Sequence, residues 1–224
     1  MAPGNGAPHT GPSPSDNLGN KMKTIGLVGG IASGKSLAAK FLVELGAEHL
    51  DADRVGHDVL AKDGDVRQAV IDRWGPAILA PDDSIDRAEI ARHVFAQTAA
   101  GEADREFLED LVHPKIADRL VKQGRAAAAA GKPAVVLDAP LLLEADWKTM
   151  CDVVLMIDSP RDLRLARAAT RGWSEAEFDR REASQWPIEK KRSKSDVIIP
   201  NSGSPDDLRQ AIIEFWAQYV VPHS

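Results

Sequence analysis

The chain has 224 residues and a formal net charge of −6. This length suffices for one ordinary domain with an insertion, without support from disulfides or a structural metal, and the one cysteine, Cys151, cannot form an intrachain disulfide. The acidic balance argues against a nucleic acid bound through a broad phosphate-binding surface. No apolar run approaches the roughly 18 residues of a membrane span. We therefore expect a cytoplasmic protein that is a monomer or a weak homo-oligomer.

The first elements predict a parallel α/β sheet. Residues 1–21 are rich in Gly, Pro, Ser and Asn, which is typical of a disordered tail. The apolar run 24–28 predicts a buried strand, and the apolar spacing after Lys35 predicts a helix that stops at Gly46. A short second strand is expected to end at residues 51–53. This order of strand, glycine loop, helix and strand is that of an opening βαβ unit.

The middle of the chain differs in character from both ends. Residues 54–130 have mostly helical apolar spacing, more than one crossover requires, which predicts an inserted helical subdomain. The sheet is expected to resume afterwards, and residues 161–194 are dense in arginine. We expect further strands at 134–138, 153–157 and 197–199, and an amphipathic closing helix over 208–220.

The segment Gly29–Ser36 meets every position of the P-loop pattern, which is Gly, four residues, Gly, Lys and Ser or Thr. It follows a predicted strand and opens a predicted helix, as the motif requires. Glycines allow backbone N–H groups to approach phosphate oxygens, Lys35 would neutralise the β- and γ-phosphates, and the Ser36 hydroxyl would bind Mg²⁺. The spacing does not fit a dinucleotide fingerprint. The residues expected to bind the nucleotide are Gly30, Ile31, Ala32, Ser33, Gly34, Lys35, Ser36 and Leu37.

Two acidic residues are candidates for catalysis at the group that accepts the phosphoryl group. Asp51 and Asp53 are expected at the carboxyl end of the second strand, where ligands of open α/β sheets gather. Residues two apart on a strand share a face, so one carboxylate could deprotonate an acceptor hydroxyl while the other supports Mg²⁺ or the acceptor. The alternative for Asp51 is that it caps the helix beginning near Arg54. Asp53 is favoured as the catalytic group.

Further along, the sequence resembles a known family. The segments Gly29–Ser36, Leu50–Asp53, Leu111–Pro114 and Pro140–Glu144 look like dephospho-CoA kinase, in that order and spacing. The resemblance covers nearly the whole chain, from about Met22 to Val220, and no segment beyond the P-loop is specific alone. Later segments that share it are Gln185–Pro187, Glu189–Arg192 and Asn201–Gly203.

The resemblance implies ATP-dependent phosphorylation of the ribose 3′-hydroxyl of dephospho-CoA, with Mg²⁺. It also implies a three-layer P-loop NTPase fold of the α/β class, with a parallel sheet, a helical acceptor-binding insertion and a helical lid. The expected divisions are a core of 22–56, 131–170 and 195–224, an acceptor subdomain of 57–130 and a lid of 171–194. Other P-loop kinases of small hydroxyl acceptors, or a non-catalytic ATP-binding switch, are the alternatives. A switch needs no acceptor base, so Asp53 favours the kinase.

Residue roles carry over by position. Asp53 matches the family's general base, and Arg167 and Arg171 fall where lid arginines close on the triphosphate. Asp138, at a strand end, could hold Mg²⁺ together with Ser36 or make a structural hydrogen bond. Candidate acceptor contacts are Asp51, His57, His113, Pro140, Leu141, Leu142 and Arg181.

Several of these residues have plainer explanations. His113 could belong to an ordinary His-Pro helix kink, residues 140–143 could be core, and each arginine could lie on a solvated helix face. Two departures from the family pattern also matter. Leu37 replaces a frequent threonine, and His57 stands where an arginine is more frequent, which would make a contact with the acceptor's phosphate weaker and pH-dependent.

Overall fold

The computed structural model describes residues 22–221, so the predicted tail 1–21 lies outside the described residues. The chain opens with β1 (Lys23–Gly29), α1 (Lys35–Glu44) and β2 (Glu48–Asp51). The loop between β1 and α1 is the P-loop segment, so the predicted strand, loop and helix are all present. The described residues divide into two compact units, 50–126 and the remainder.

The first of these units, residues 50–126, is helical. Its elements are α2 (Ala52–Lys62), α3 (Gly64–Trp74), a 3-10 turn (Pro76–Ile78), α4 (Arg87–Val94) and most of α5 (Ala99–Ala129). Helices α2, α3 and α4 each have an aspartate N-cap. Asp51, Asp63 and Asp86 accept hydrogen bonds from backbone N–H groups of the first turn that follows. The compact unit begins at residue 50, whereas the predicted subdomain covers 57–130.

Helix α5 is the longest element, with 31 residues, and Pro114 lies inside it. An interior proline removes one backbone hydrogen bond and usually kinks or ends a helix. Here the helix continues for four more turns, with Val112, Ile116 and Leu120 buried on one side. The His113-Pro114 pair is therefore in the middle of a helix and not at its end.

The second unit holds the remaining strands. The elements that follow α5 are β3 (Ala134–Asp138), a 3-10 turn (Trp147–Met150), β4 (Val153–Asp158), α6 (Arg161–Ala169), α7 (Glu175–Ala183), α8 (Ile188–Lys194), β5 (Val197–Pro200) and α9 (Pro205–Tyr219). The sheet order is β2-β3-β1-β4-β5, and β1 pairs in parallel with β3 and β4, as β4 does with β5. The predicted parallel α/β sheet is confirmed.

Alternation along β1 sends side chains to the two faces of this sheet. Ile25 and Leu27 are fully buried in a core formed with α1 and α9, where Phe41, Leu42 and Phe215 pack. On the alternate side, Gly26 leaves the space that Leu142 and Cys151 fill. Because β1 is central and covered, the P-loop at its end has a rigid base. Within residues 22–221, no helix is both long enough and apolar enough to cross a membrane.

Candidate functional site

The P-loop has a backbone shape that its glycines permit. Gly34 has φ +102°, a left-handed conformation that side chains rarely adopt, and a Cβ there would overlap the amide nitrogen of Asn201. Ala32 also has a positive φ of 57°. Helix α1 starts at Lys35 and has no side-chain cap at its N-terminus. The positive end of the helix dipole and the first amide groups therefore favour an anion at this end.

Hydrogen bonds to one carbonyl hold this loop. The Ser33 carbonyl accepts from Asn201 Nδ2 (2.8 Å), Ser159 Oγ (3.0 Å) and Arg167 Nη1 (3.3 Å). Ser159 follows β4 and Asn201 follows β5, so the carboxyl ends of two neighbouring strands fix the loop after β1. Arg167 also donates to the Asn201 carbonyl (3.0 Å). The phosphate-binding loop is thus shaped by direct contacts with the rest of the sheet edge.

A cavity of about 570 Å³ lies against the P-loop. One side is the loop and the first turn of α1, from Gly29 to Leu37 without Ser33. Ser33 is buried beneath the loop instead. The other lining residues are Pro140, Arg167, Thr170, Arg171, Trp173, Gln185, Asn201, Gly203 and Pro205. The phosphate end and the wall opposite it both come from the sheet-containing unit.

Lys35 and Asp138 meet beside this loop. Lys35 Nζ lies 3.0 Å from Asp138 Oδ1, and His49 Nε2 lies 3.5 Å from Asp138 Oδ2. Burial alone would raise the pKa of Asp138, but His49 and Lys35 outweigh it and hold the pKa of this carboxyl below its ordinary value. Asp138 is therefore a carboxylate near neutral pH. It is available to a cation, and it accepts a hydrogen bond from the ammonium of Lys35.

The three predicted arginines differ in their placement. Arg167 is bonded to the P-loop and lines the cavity, and Arg171 also lines it. Arg181 does not line the cavity: its guanidinium lies 4.2 Å from the centroid of the Trp173 ring and its Nε donates to Glu177. Arg181 therefore reaches the cavity wall only through Trp173.

Two residues near the P-loop and its cavity were missed from the sequence. Arg164 is buried, donates to the Ser159 carbonyl (3.1 Å) and pairs with Glu182, which ties α6 to α7. Its spacing from Arg167 in a helix was the available signal, because residues three apart share a face. Trp173 supplies the one aromatic side chain among the cavity-lining residues in the described chain. Its position among charged residues gave no sequence signal of a role in the cavity.

The segment after β3 is divided between cavity and core. Pro140 lines the cavity, Leu141 is exposed, and the Leu142 side chain is fully buried. Leu142 packs beside Gly26 of β1. Its buried side chain supports the segment from the core, in agreement with the plainer explanation for this residue. Among the three, Pro140 alone lies at the nucleotide cavity.

The other candidate residues lie in the helical unit. Asp51 accepts the Arg54 N–H (2.9 Å) as the cap of α2, so the capping alternative is correct. Asp53 lies in the first turn of α2 and is exposed. The expectation that both acids share a strand face is therefore wrong, because the strand ends at Asp51. His57 is exposed on α2 and His113 is half-buried in α5.

Taken together, this arrangement is suited to holding a polyphosphate. It offers uncapped helix amides, a lysine, two arginines at the cavity and one carboxylate. An aromatic ring on the cavity wall can stack on a flat group.

Comparisons with known proteins relate this chain to a family. The model of the family described as dephospho-CoA kinase matches residues 23–207. A curated dephospho-CoA kinase of Geobacter sulfurreducens is 35% identical over 198 residues, which is 88% of this chain and 98% of that protein. That relative and the family model cover both compact units.

Solved structures agree in fold. A Thermus thermophilus protein superposes with a TM-score of 0.75 at 29% identity, covering 89% of this chain and 99% of that one. The dephospho-CoA kinase of Campylobacter jejuni has a TM-score of 0.60 at 26% identity, covering 88% and 97%. With its P-loop, its parallel sheet and a family match along most of its length, this chain belongs to the dephospho-CoA kinase family.

Proposed function

We propose that this chain transfers the γ-phosphoryl group of ATP to the ribose 3′-hydroxyl of dephospho-CoA, giving CoA and ADP. The observation that carries the proposal is the P-loop cavity, with Lys35, Arg167 and Arg171 around it, in a chain of the dephospho-CoA kinase family. Phosphoryl transfer requires little covalent work from the protein. Alignment of the reactants and stabilisation of charge supply most of the acceleration.

The donor side can be assigned to residues around the cavity. The loop amides and the N-terminus of α1 would bind phosphate oxygens, and Lys35 would neutralise charge on the β- and γ-phosphates. To do so, Lys35 leaves Asp138, which lies 3.0 Å from it. Arg167 is already fixed by the loop, whereas Arg171 is exposed and free to approach a bound triphosphate from the other side.

The acceptor side is proposed to depend on Asp53. Its exposed carboxylate would accept the proton of the ribose hydroxyl as that oxygen attacks the γ-phosphorus and the bond to the ADP oxygen breaks. Asp51, His57, His113, Pro140, Leu141 and Arg181 stay proposed acceptor contacts, whereas the fully buried Leu142 would act by supporting its segment from the core. Asp51 already caps a helix and Arg181 already pairs with Glu177, so each would have to combine two roles.

The residues present suit Mg²⁺. The Ser36 hydroxyl is exposed at the cavity and the Asp138 carboxylate is partly exposed with its pKa held low. One or two protein oxygens, completed by phosphate and water, form the ligand set that Mg²⁺ prefers. We propose that Ser36, and Asp138 directly or through water, would hold the ion. When bound, it would neutralise charge on the phosphates.

Other parts of the proposal concern the protein's surroundings. A single cysteine suits a reducing compartment, which supports a cytoplasmic location. A monomer or a weak homo-oligomer stays the proposed state of the protein. Another P-loop kinase of a small hydroxyl compound is the second candidate, because the nucleotide cavity would serve it equally. A non-catalytic switch is disfavoured by the family match.

The test is a direct assay. Purified protein is incubated with ATP, Mg²⁺ and one acceptor, either dephospho-CoA, adenosine, AMP or shikimate, and the products are identified by mass spectrometry. We expect CoA and ADP in equal amounts from dephospho-CoA alone. Formation of ADP with another acceptor, and no CoA above background, would contradict the proposal and favour the second candidate. A Lys35→Met variant is the matched control for contaminating kinases.

A further inference from the structure

Lys191 is a buried lysine in a segment that is otherwise highly charged and exposed. A charged run such as Glu189–Arg192 is typical of solvent-exposed residues, but only 2% of the surface of Lys191 is exposed. Its ammonium donates to the Pro140 carbonyl (3.2 Å) and to Gln185 Oε1 (2.9 Å). The Glu144 carboxylate lies 3.2 Å from the same nitrogen.

The acceptors of this ammonium belong to two different segments. Pro140 and Glu144 follow β3, whereas Gln185 lies between α7 and α8 in the predicted lid. Glu144 Oε1 also accepts the backbone N–H of Trp186 (2.9 Å), which is a second link between the two segments. Pro140 and Gln185 both line the nucleotide cavity. One nitrogen therefore fixes two points of the cavity wall that are distant in sequence.

Joining two segments through a buried ammonium costs free energy, because the charged group loses its hydration. Burial lowers the pKa of Lys191 despite the opposing effect of Glu144, and the charge of Lys35 lowers it further. A well-packed apolar pair would stabilise the fold about equally well, whereas removing one charge of a buried pair leaves the other uncompensated. Fold stability alone therefore does not explain why this charge is buried. The hydrogen bonds from Lys191 to Pro140 and Gln185, which both line the cavity, give a reason for it.

We propose that Lys191 is a positioning residue for the nucleotide. It holds the Pro140 carbonyl and the Gln185 side chain in fixed places on the cavity wall, and it links the Gln185–Lys194 stretch to the segment after β3. The inference rests on the proposed function, because it assumes that ATP occupies this cavity. It assigns no contact between Lys191 and the nucleotide.

The test separates positioning from stability. Lys191→Met alone leaves the Glu144 carboxylate buried without its cation and should lower the Tm. The double variant Lys191→Met with Glu144→Gln removes both charges, keeps a side-chain oxygen that can accept the Trp186 N–H, and should restore most of the Tm. If Lys191 positions the wall, ATP affinity stays reduced in the double variant, by about tenfold in Kd for the loss of one to two fixed contacts. Lys194→Met, an exposed lysine of the same helix, is the control and should change neither value.

ATP binding is measured by calorimetry without an acceptor. A Kd that returns to the wild-type value together with the Tm would overturn the inference and leave Lys191 a structural residue. If neither Lys191 variant folds, Gln185→Met decides the matter: its side chain is half-exposed, and an unchanged Kd for ATP would overturn the inference. Failure of the proposed function is distinguishable, because it appears as absence of CoA from the wild-type protein, whatever the Kd values for ATP.

Discussion

The ammonium of Lys35 lies 3.0 Å from the Asp138 carboxylate, so the lysine of the P-loop is paired with an acid at the end of β3. Both side chains are mostly buried, at 19% and 15% exposure, so water screens the pair only in part. If Lys35 binds a triphosphate as proposed, its ammonium would have to leave this acid. We therefore expect the pair to oppose nucleotide binding unless a cation replaces Lys35 at the carboxylate.

Asp138→Asn tests this relationship. Without Mg²⁺, the variant should bind ATP more tightly, by about fivefold, since the competing ion pair is worth roughly 1 kcal/mol. With Mg²⁺, kcat should fall by at least about tenfold, because the variant lacks the proposed support for the metal. Calorimetry and steady-state kinetics give the two values. Asp152→Asn, just before β4 and not among the residues that line the cavity, is the control and should leave both unchanged. An unaltered kcat in Asp138→Asn would exclude Asp138 from the metal site.

Asp53→Asn tests the proposed base. A general base contributes about 10² to 10⁴ in rate, so kcat should fall by that factor while the Kd for ATP is unchanged. The matched control is Asp58→Asn on the same helix, which removes a carboxylate bonded to Lys62 and should keep its activity. Equal turnover in the Asp53 variant and the wild type would remove Asp53 from its proposed role.

Trp173 is expected to set the affinity for the base of the nucleotide. Stacking of a base on an aromatic side chain is worth about 1–3 kcal/mol, so Trp173→Ala should raise KM for ATP about tenfold or more with little change in kcat. Trp173→Phe keeps a ring next to Arg181 and should restore most of the affinity. If the alanine variant keeps the wild-type KM, the ring does not contact the base.

Cys151 is expected to be unreactive in the folded protein. Burial raises the pKa of its thiol to about 12, from an ordinary value of 9.0. Since only the thiolate reacts, alkylation at pH 8 should be slower by about 10³ than in the urea-unfolded chain. Because the folded pKa is the higher one, the contribution of this thiol to stability is fully present below pH 9 and is lost as the pH rises from 9 to about 12. Rapid labelling of the native protein, with Cys151→Ser as the unlabelled control, would contradict the burial.

The sequence predicts some parts of this structure well, and the reasons are local. The P-loop is readable because its glycines and its lysine have to stand at fixed spacing, and the strands are readable because buried parallel strands form short apolar runs. The end of β2 is misplaced, because an acid can either end a strand or cap a helix and only the fold decides between them. The uninterrupted course of α5 past Pro114 also depends on its packing.

Contacts between distant segments could not be predicted. The buried state of Lys191 depends on Glu144 and Gln185, which lie in other segments, and a charged run by itself indicates solvent. The burial of Leu142 likewise depends on the small residue Gly26 on the next strand, which leaves room for its side chain. Such relationships require the tertiary structure.

The three hydrogen bonds accepted by the Ser33 carbonyl have a thermodynamic consequence for the ligand. Ordering a flexible loop costs about 1–2 kcal/mol per residue. Here the hydrogen bonds to the Ser33 carbonyl form when the protein folds, so they offset this cost before the ligand binds. ATP would meet a loop that these contacts already hold, so we expect little of its binding free energy to go into ordering the backbone. Discrimination between ATP and ADP should then depend on charge at the γ-phosphate, and not on closure of the loop.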